Sequence, residues 1–164
     1  MRQATWVEAS PLGPLYVVTS ATGLRLLDLR GPGEKAVPGD APVEAVAAPL
    51  RAYFGGDLDA IDDVPVDLEG RTAFSLAVLT ALRTVRAKTL TSYGRLAAAA
   101  GRPSAGRAVG RAVGANPVPI VVPCHRVVAG DGALGGFSGG LDVKRWLLAH
   151  EGHPVDGRRP LGFS

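Results

Sequence analysis

The sequence predicts two domains of different class: an α/β domain over residues 1–70, and a mainly α domain over residues 71–164 that contains a helix-turn-helix. Short β-branched or alternating runs separated by Pro and Gly fill the opening of the chain, and apolar residues at helical spacing take over beyond Gly70. Charge changes sign at the same place. Residues 1–70 carry 5 Lys/Arg against 11 Asp/Glu, a balance of −6, whereas residues 71–164 carry 13 against 4, a balance of +9. Such a basic half suits a polyanion, with the acidic half turned away, although a charged half taken alone is as readily a solvated surface.

In chain order, "TWVEAS", "GPLYVVTS" and "GLRLLDLR" read as a small antiparallel sheet. "APVEAVAAPLRAYFGG" reads as a helix closed by glycines and interrupted at Pro49, and the acidic "DLDAIDDVPVDLEG" as a linker. Phe74, Ala77, Val78, Ala81, Leu82 and Val85 then share one helical face, with Thr72 placed to cap it. The next helix starts at Ser92, runs through "YGRLAAAA" and stops at Gly101. After the tight turn "GRP", Ser104 is placed to cap "AGRAVGRAVGA". Two short helices joined this way form a helix-turn-helix. The second helix offers Ala, Gly and the pair Arg107 and Arg111 rather than the side chains that read a major groove. Small residues let a backbone approach a narrow minor groove. Taken by itself, such a helix reads more readily as a packed one with two solvated arginines.

The one cysteine, Cys124, sits in "PVPIVVPCHRVV". A single cysteine excludes an intrachain disulfide framework, and no Cys/His cluster is spaced for zinc. We therefore expect no metal and no cofactor. No stretch is long and uncharged enough to cross a bilayer, and "MRQATWVEAS" lacks the apolar core of a secretory signal, so the expectation is a soluble intracellular protein. "NPVPIVVP" is extended until Pro123, which suits the first position of a helical turn holding Cys124, His125 and Arg126. In that position the turn's positive end and the two basic neighbours favour thiolate. His125 cannot face Cys124 directly, because chain neighbours point in different directions, so a proton would pass through a water or a local turn.

Residues 72–153 closely resemble the C-terminal domain of the O6-alkylguanine-DNA alkyltransferases. "SYGRLA", "GRAVG", "NPVPIVVPCHRVV", "GGFSGGL" and "KRWLLAHEG" occur in the family's order and at its separations. The N-terminal half matches the family's variable domain in layout, which implies a ribonuclease-H-like α/β fold there and a winged-helix-like C-terminal domain. The implied activity is direct reversal of DNA damage. An alkyl group moves irreversibly from O6-alkylguanine, and from O4-alkylthymine, in double-stranded DNA to the cysteine.

By that resemblance Cys124 is the acceptor, His125 the base acting through a water, and Glu151 the carboxylate that orients it. Asn116 ties the turn together, and Tyr93 hydrogen-bonds the flipped guanine. A soft thiolate suits displacement at an alkyl carbon, and a base oriented by a third group is the logic of a triad. Arg107 is the residue that occupies the stack after the base is extruded. The minor-groove set implied around it is Ser92, Ala105, Gly106, Ala108 and Arg111. The pocket set is Val127, Pro119, Gly135, Phe137 and Ser138, with the carbonyls of Cys124 and Val127 reading the guanine amino group. Pro119, Gly135 and Gly136 leave room for bulky adducts such as O6-benzylguanine. The implied protein is a monomer in solution that can assemble cooperatively on DNA.

The chain departs from the family at "RAKTLTSYG", where Pro-x-Gly often precedes the tyrosine, at Phe137, where some members carry Tyr, and at Arg111, where some carry Gly. Three other functions are weighed. A lesion-binding alkyltransferase-like protein typically has Trp in place of the cysteine, so Cys124 opposes it. A helix-turn-helix regulator leaves the Asn/Cys/His/Glu set unexplained. A cysteine hydrolase needs an oxyanion hole and leaves Arg107 unexplained. The Ala/Gly/Arg/Pro-rich composition points to a GC-rich bacterial genome and hence the cytoplasm; in a eukaryote the corresponding compartment is the nucleus.

Overall fold

The computed structural model describes residues 4–29 and 43–155. The chain divides into two compact units, Met1–Glu69 with Pro117–Val121, and Gly70–Asn116 with Val122–Ser164.

In the first unit, β1 (Ala4–Glu8), β2 (Leu15–Ser20) and β3 (Gly23–Asp28) form an antiparallel sheet in the order β1-β2-β3. Alternation is strict only in part, because a register shift between Val18 and Thr19 leaves Arg25 as an extra residue on β3. Helix α1 (Val43–Phe54) buries Val46, Ala47, Leu50 and Tyr53 along one face. Pro49 does not interrupt it. Proline costs one backbone hydrogen bond there, and the buried face on both sides of it outweighs that loss. Arg51 ties α1 to the sheet by donating from Nε to Glu8 Oε2 at 3.3 Å and meeting Oε1 at 3.1 Å.

The acidic stretch is packed structure rather than a free linker. Ile61 and Val64 are buried, and Val66 bridges Leu24 in parallel. Asp67 accepts the Ser20 hydroxyl at 2.5 Å and the Glu69 amide at 3.0 Å, and these hold its carboxyl below the usual range. Gly23 permits this approach, since a Cβ there would lie 2.4 Å from the Pro65 carbonyl oxygen. Leu27 N–H donates to Pro117 O at 2.9 Å. The segment Pro117–Val121 thereby joins the first unit, although it lies within the range expected for the second domain.

The second unit starts with α2 (Ala73–Arg83), capped as expected by Thr72, whose hydroxyl accepts from Ser75 N–H at 3.1 Å. Such a cap contributes about 1 kcal/mol. Strand β4 (Thr91–Ser92) leads directly into α3 (Tyr93–Ala99), and a turn through Gly101 leads into α4 (Gly106–Gly114). Helices α2, α3 and α4 pack on one another, and α3 with α4 forms the helix-turn-helix. Ser104 does not cap α4. The cap position is Ala105, one residue later, and it supplies no side-chain acceptor. A 3-10 turn (Cys124–Arg126), β5 (Val127–Val128) and α5 (Leu141–His150) complete the unit. Strand β5 pairs in parallel with β4, Thr91 opposite Val127 and Ser92 opposite Val128. That pairing fixes the cysteine turn beside the start of α3.

Candidate active site

The cysteine turn is built from the backbone outward. Pro123, with φ −83° and ψ 67°, centres an inverse γ-turn in which Cys124 N–H donates to Val122 O at 2.8 Å. It stands just before the helical turn rather than as its first residue. The Asn116 amide donates to the same carbonyl at 2.8 Å and also hydrogen-bonds the Cys124 sulfur. Asn116 thus closes the chain on itself at both ends of 117–121.

Cys124 is 5 % exposed. Burial pushes its thiol up to about 11, against the opposing pull of the Asn116 hydrogen bond and the Lys144 charge. The expected bias toward thiolate is therefore absent at rest. A helical turn of three residues carries little dipole, and Arg126 points its charge elsewhere. All three guanidinium contacts are internal: Nε to Glu151 Oε1 at 2.8 Å, Nη2 to Glu151 Oε2 at 3.0 Å, and Nη1 to Val85 O at 2.6 Å.

His125 is fully buried, and its Nε2 meets Glu151 Oε2 at 2.7 Å. Burial lowers its pKa, with Glu151 opposing that shift. His125 Nδ1 is buried and has no hydrogen-bond partner among the described residues. Glu151 caps the C-terminal end of α5, an unfavourable place for an acid unless it has an inward partner. It has two. Burial alone would raise its carboxyl, but His125 and Arg126 together hold it well below the usual carboxylate range. The resting state is a neutral thiol beside a neutral imidazole with a free ring nitrogen, backed by an ionised carboxylate. That arrangement is poised to move one proton.

A cavity of about 220 Å³ opens onto the cysteine, lined by Tyr93, Val113, Cys124, Phe137 and Ser138, with Gly110, Gly114 and Gly136 between them. Burial raises the Tyr93 pKa, so the phenol keeps its proton, while the Gly136 backbone acts the other way. Gly135, at φ +71°, lies behind the tyrosine, where a Cβ would sit 3.3 Å from Tyr93 Oη. We expect Gly135→Ala to cost about 1–2 kcal/mol in stability from its left-handed backbone. It should also displace the Tyr93 hydroxyl and slow any reaction that uses it; thermal melts and single-turnover rates measure the two effects separately.

Lys144 was not singled out from the sequence. It is fully buried, and Nζ donates to Val127 O at 2.7 Å and Gly136 O at 3.1 Å. Burial lowers it to about 8, with Cys124 opposing. Its signal was a lysine on the apolar face of α5, at steps of three, four and seven from Leu147, Leu148 and Glu151.

Several expected residues lie away from the cavity. Pro119 is buried and groups with the first unit, and it does not line the cavity. Val127 is buried and presents its carbonyl to Lys144, which leaves one lone pair of that oxygen for another donor. Ser92, expected on the DNA-facing set, is 8 % exposed and caps α3 by accepting Arg95 N–H at 3.1 Å. On α4, Arg107 and Arg111 are exposed one turn apart, beside half-buried Ala105, Gly106 and Ala108. The side chain of neither arginine has a hydrogen bond or ion pair among the described residues. A Cβ at Gly106, Gly110 or Gly114 would meet nothing within 4 Å, so this face of α4 is open along its length.

Residues 73–153 match the family model described as 6-O-methylguanine DNA methyltransferase, DNA binding domain, and residues 6–68 match the ribonuclease-like domain of the same family. A methylated-DNA--protein-cysteine methyltransferase from Shigella flexneri is 40 % identical over 161 residues, covering 88 % of this chain and 93 % of that protein. The Homo sapiens protein of the same name is 43 % identical, covering 94 % and 83 % respectively. The crystal structure of Mycobacterium tuberculosis OGT in complex with DNA superposes with a TM-score of 0.78 at 37 % identity, over 90 % of this chain and 91 % of that one. Matches of this extent span both units, and the chain belongs to the 6-O-methylguanine DNA methyltransferase family.

Proposed function

We propose that the protein repairs alkylated DNA by direct reversal, with Cys124 taking the alkyl group from O6-alkylguanine in duplex DNA once per molecule. One observation carries this: the sole cysteine faces the cavity while a buried His125–Glu151 pair stands behind it. The thiol proton passes to His125 Nδ1, through a water. Sulfur forms a bond to the alkyl carbon as the carbon–O6 bond breaks, and its electron pair stays on the guanine. Tyr93, still protonated, donates a hydrogen bond to the leaving base and steadies its charge. The proton from the thiol ends on guanine, so thiol and alkylguanine become thioether and guanine. A thioether offers no ready route back, which makes the protein a single-use reagent.

The lesion reaches the cavity by leaving the helix, because the alkyl carbon is hard to attack within the stack. The open Gly/Ala face of α4 admits the backbone to the minor groove, and Arg107 fills the gap left by the base. The uncapped N-terminus of α4, with no acid in its first turn, suits a neighbouring phosphate. Arg111 adds a further cation, and DNA binding weakens with salt. Residues 71–164 form the DNA-binding and alkyl-acceptor domain and 1–70 the α/β domain. O4-alkylthymine is a second substrate, and the loop through Phe137 and Ser138 closes the pocket. Among the described residues no helix is long and apolar enough to cross a membrane, in keeping with work in the cytoplasm. Lesion binding without transfer is disfavoured by Cys124 and its relay.

We expect Arg107→Ala to lower the repair rate of duplex DNA by roughly 10-fold or more, since unstacking costs a few kcal/mol. Reaction with free O6-methylguanine base should hardly change. Equal losses on both substrates would remove the flipping role.

A further inference from the structure

We propose that Arg126 is a positioning residue for the proton relay, holding the Glu151 carboxylate in the one orientation that offers Oε2 to His125. The inference rests on the alkyl-transfer reading above. Arg126 follows His125 in the chain and shares its carboxylate. Nε and Nη2 grip the two oxygens at 2.8 and 3.0 Å, and His125 Nε2 takes the remaining acceptor site of Oε2 at 2.7 Å. Only a planar fork can hold both oxygens at once, which a lysine cannot do. The third contact, Nη1 to Val85 O at 2.6 Å, anchors the guanidinium to the chain just beyond α2. One buried cation therefore links the cysteine turn, the end of α5 and the end of α2.

A surface ion pair would not carry this inference, but Arg126 is 1 % exposed and Glu151 is 1 % exposed. Every contact either group makes is thus a choice of the fold. Charge gives Arg126 a second effect. The charged groups acting on His125 are Arg126 on its own turn, Lys144 on α5 and Glu151 at the C-terminal cap of that helix, with His153 beyond them beside Glu151 and Arg126. Glu151 favours a proton on His125, whereas Arg126 and Lys144 oppose one. By dividing the carboxylate's attraction, Arg126 keeps the imidazole free to accept the thiol proton.

The test is the single-turnover rate of methyl transfer at saturating O6-methylguanine duplex, between about pH 5 and 9, for wild type, Arg126→Met and Arg126→Lys. Circular dichroism and duplex affinity serve as controls. Arg126→Met should lower the plateau by roughly 10- to 100-fold, within the range a general base contributes. It should also move the acid limb to higher pH, because His125 then holds its proton more tightly. Arg126→Lys keeps the charge and loses the fork, so its plateau should fall while its acid limb stays near wild type; it also serves if Arg126→Met does not fold. A folded variant with the wild-type plateau and limb would overturn the proposal. So would equal loss at every pH in both variants, which marks a merely structural arginine. If wild type itself transfers nothing, the alkyl-transfer reading fails instead.

Discussion

Cys124→Ala abolishes alkyl transfer and leaves affinity for a duplex carrying O6-methylguanine unchanged. The sulfur is the one thiol on the cavity wall, and the Tyr93 and Ser138 hydroxyls that also line it are far poorer acceptors for an alkyl carbon. Binding should survive because the backbone of the turn does not depend on the sulfur. Asn116 keeps its 2.8 Å bond to Val122 O, and Cys124 N–H keeps its own to the same carbonyl. Removing one buried sulfur leaves only a small void, so the loss of stability should not exceed about 1–2 kcal/mol. Methyl transfer measured by protein mass, and duplex affinity measured by fluorescence anisotropy, separate the two halves of the expectation. Transfer that persisted in the alanine variant would place the acceptor elsewhere and undo the mechanism.

Glu151→Gln should damage both stability and rate. The carboxylate answers two buried partners, Arg126 and His125, and glutamine presents one oxygen and one amide where donors already point. Removing one side of a buried ion pair costs about 3–5 kcal/mol, because the remaining charge stays buried. Against a total stability of roughly 5–15 kcal/mol that is a large fraction. A fall in Tm of roughly 10 °C follows for a chain of this size.

The pH dependence has a definite sign. His125 and Glu151 both titrate lower in the folded protein than their ordinary values of 6.5 and 4.5. The unfolded chain therefore binds more protons just below each value, and stability falls as pH drops below about 6.5 and again below about 4.5. In Glu151→Gln the second fall should shrink, leaving a flatter curve in acid. Denaturant titrations of both proteins from neutral pH to pH 3 check this. A glutamine variant with the wild-type Tm and acid profile would mean that the Glu151 contacts do not hold the site.

Local pattern made much of the fold legible. The β-branched runs, the Thr72 cap and the α3–turn–α4 pair follow from residues adjacent in the chain. The cysteine turn stood out for the same reason. Features set by distant residues did not show. The pairing of Ser92 with Val128 joins two short segments, and nothing in either signals the other. The acidic stretch looked like a linker because its charges outnumber Ile61, Val64 and Val66, yet those few residues pack. Pro49 suggested a break, although propensity yields to a helix with a well-buried face. The protonation state of Cys124 is not legible in the sequence, because charge neighbours are visible there and desolvation is not. Burial outweighs them. Lys144 was legible in principle as a cation on an apolar face, and such residues in α5 merit the same attention as Glu151.

Mixing the intact protein with duplex DNA carrying a single O6-methylguanine, then taking whole-protein and peptide masses, reads reaction and acceptor together. One added methyl group per molecule on the peptide holding Cys124, with guanine restored in the DNA and no second turnover, is the expected result. An unchanged mass together with retained preference for the damaged duplex would contradict it and identify a lesion-binding protein that transfers nothing.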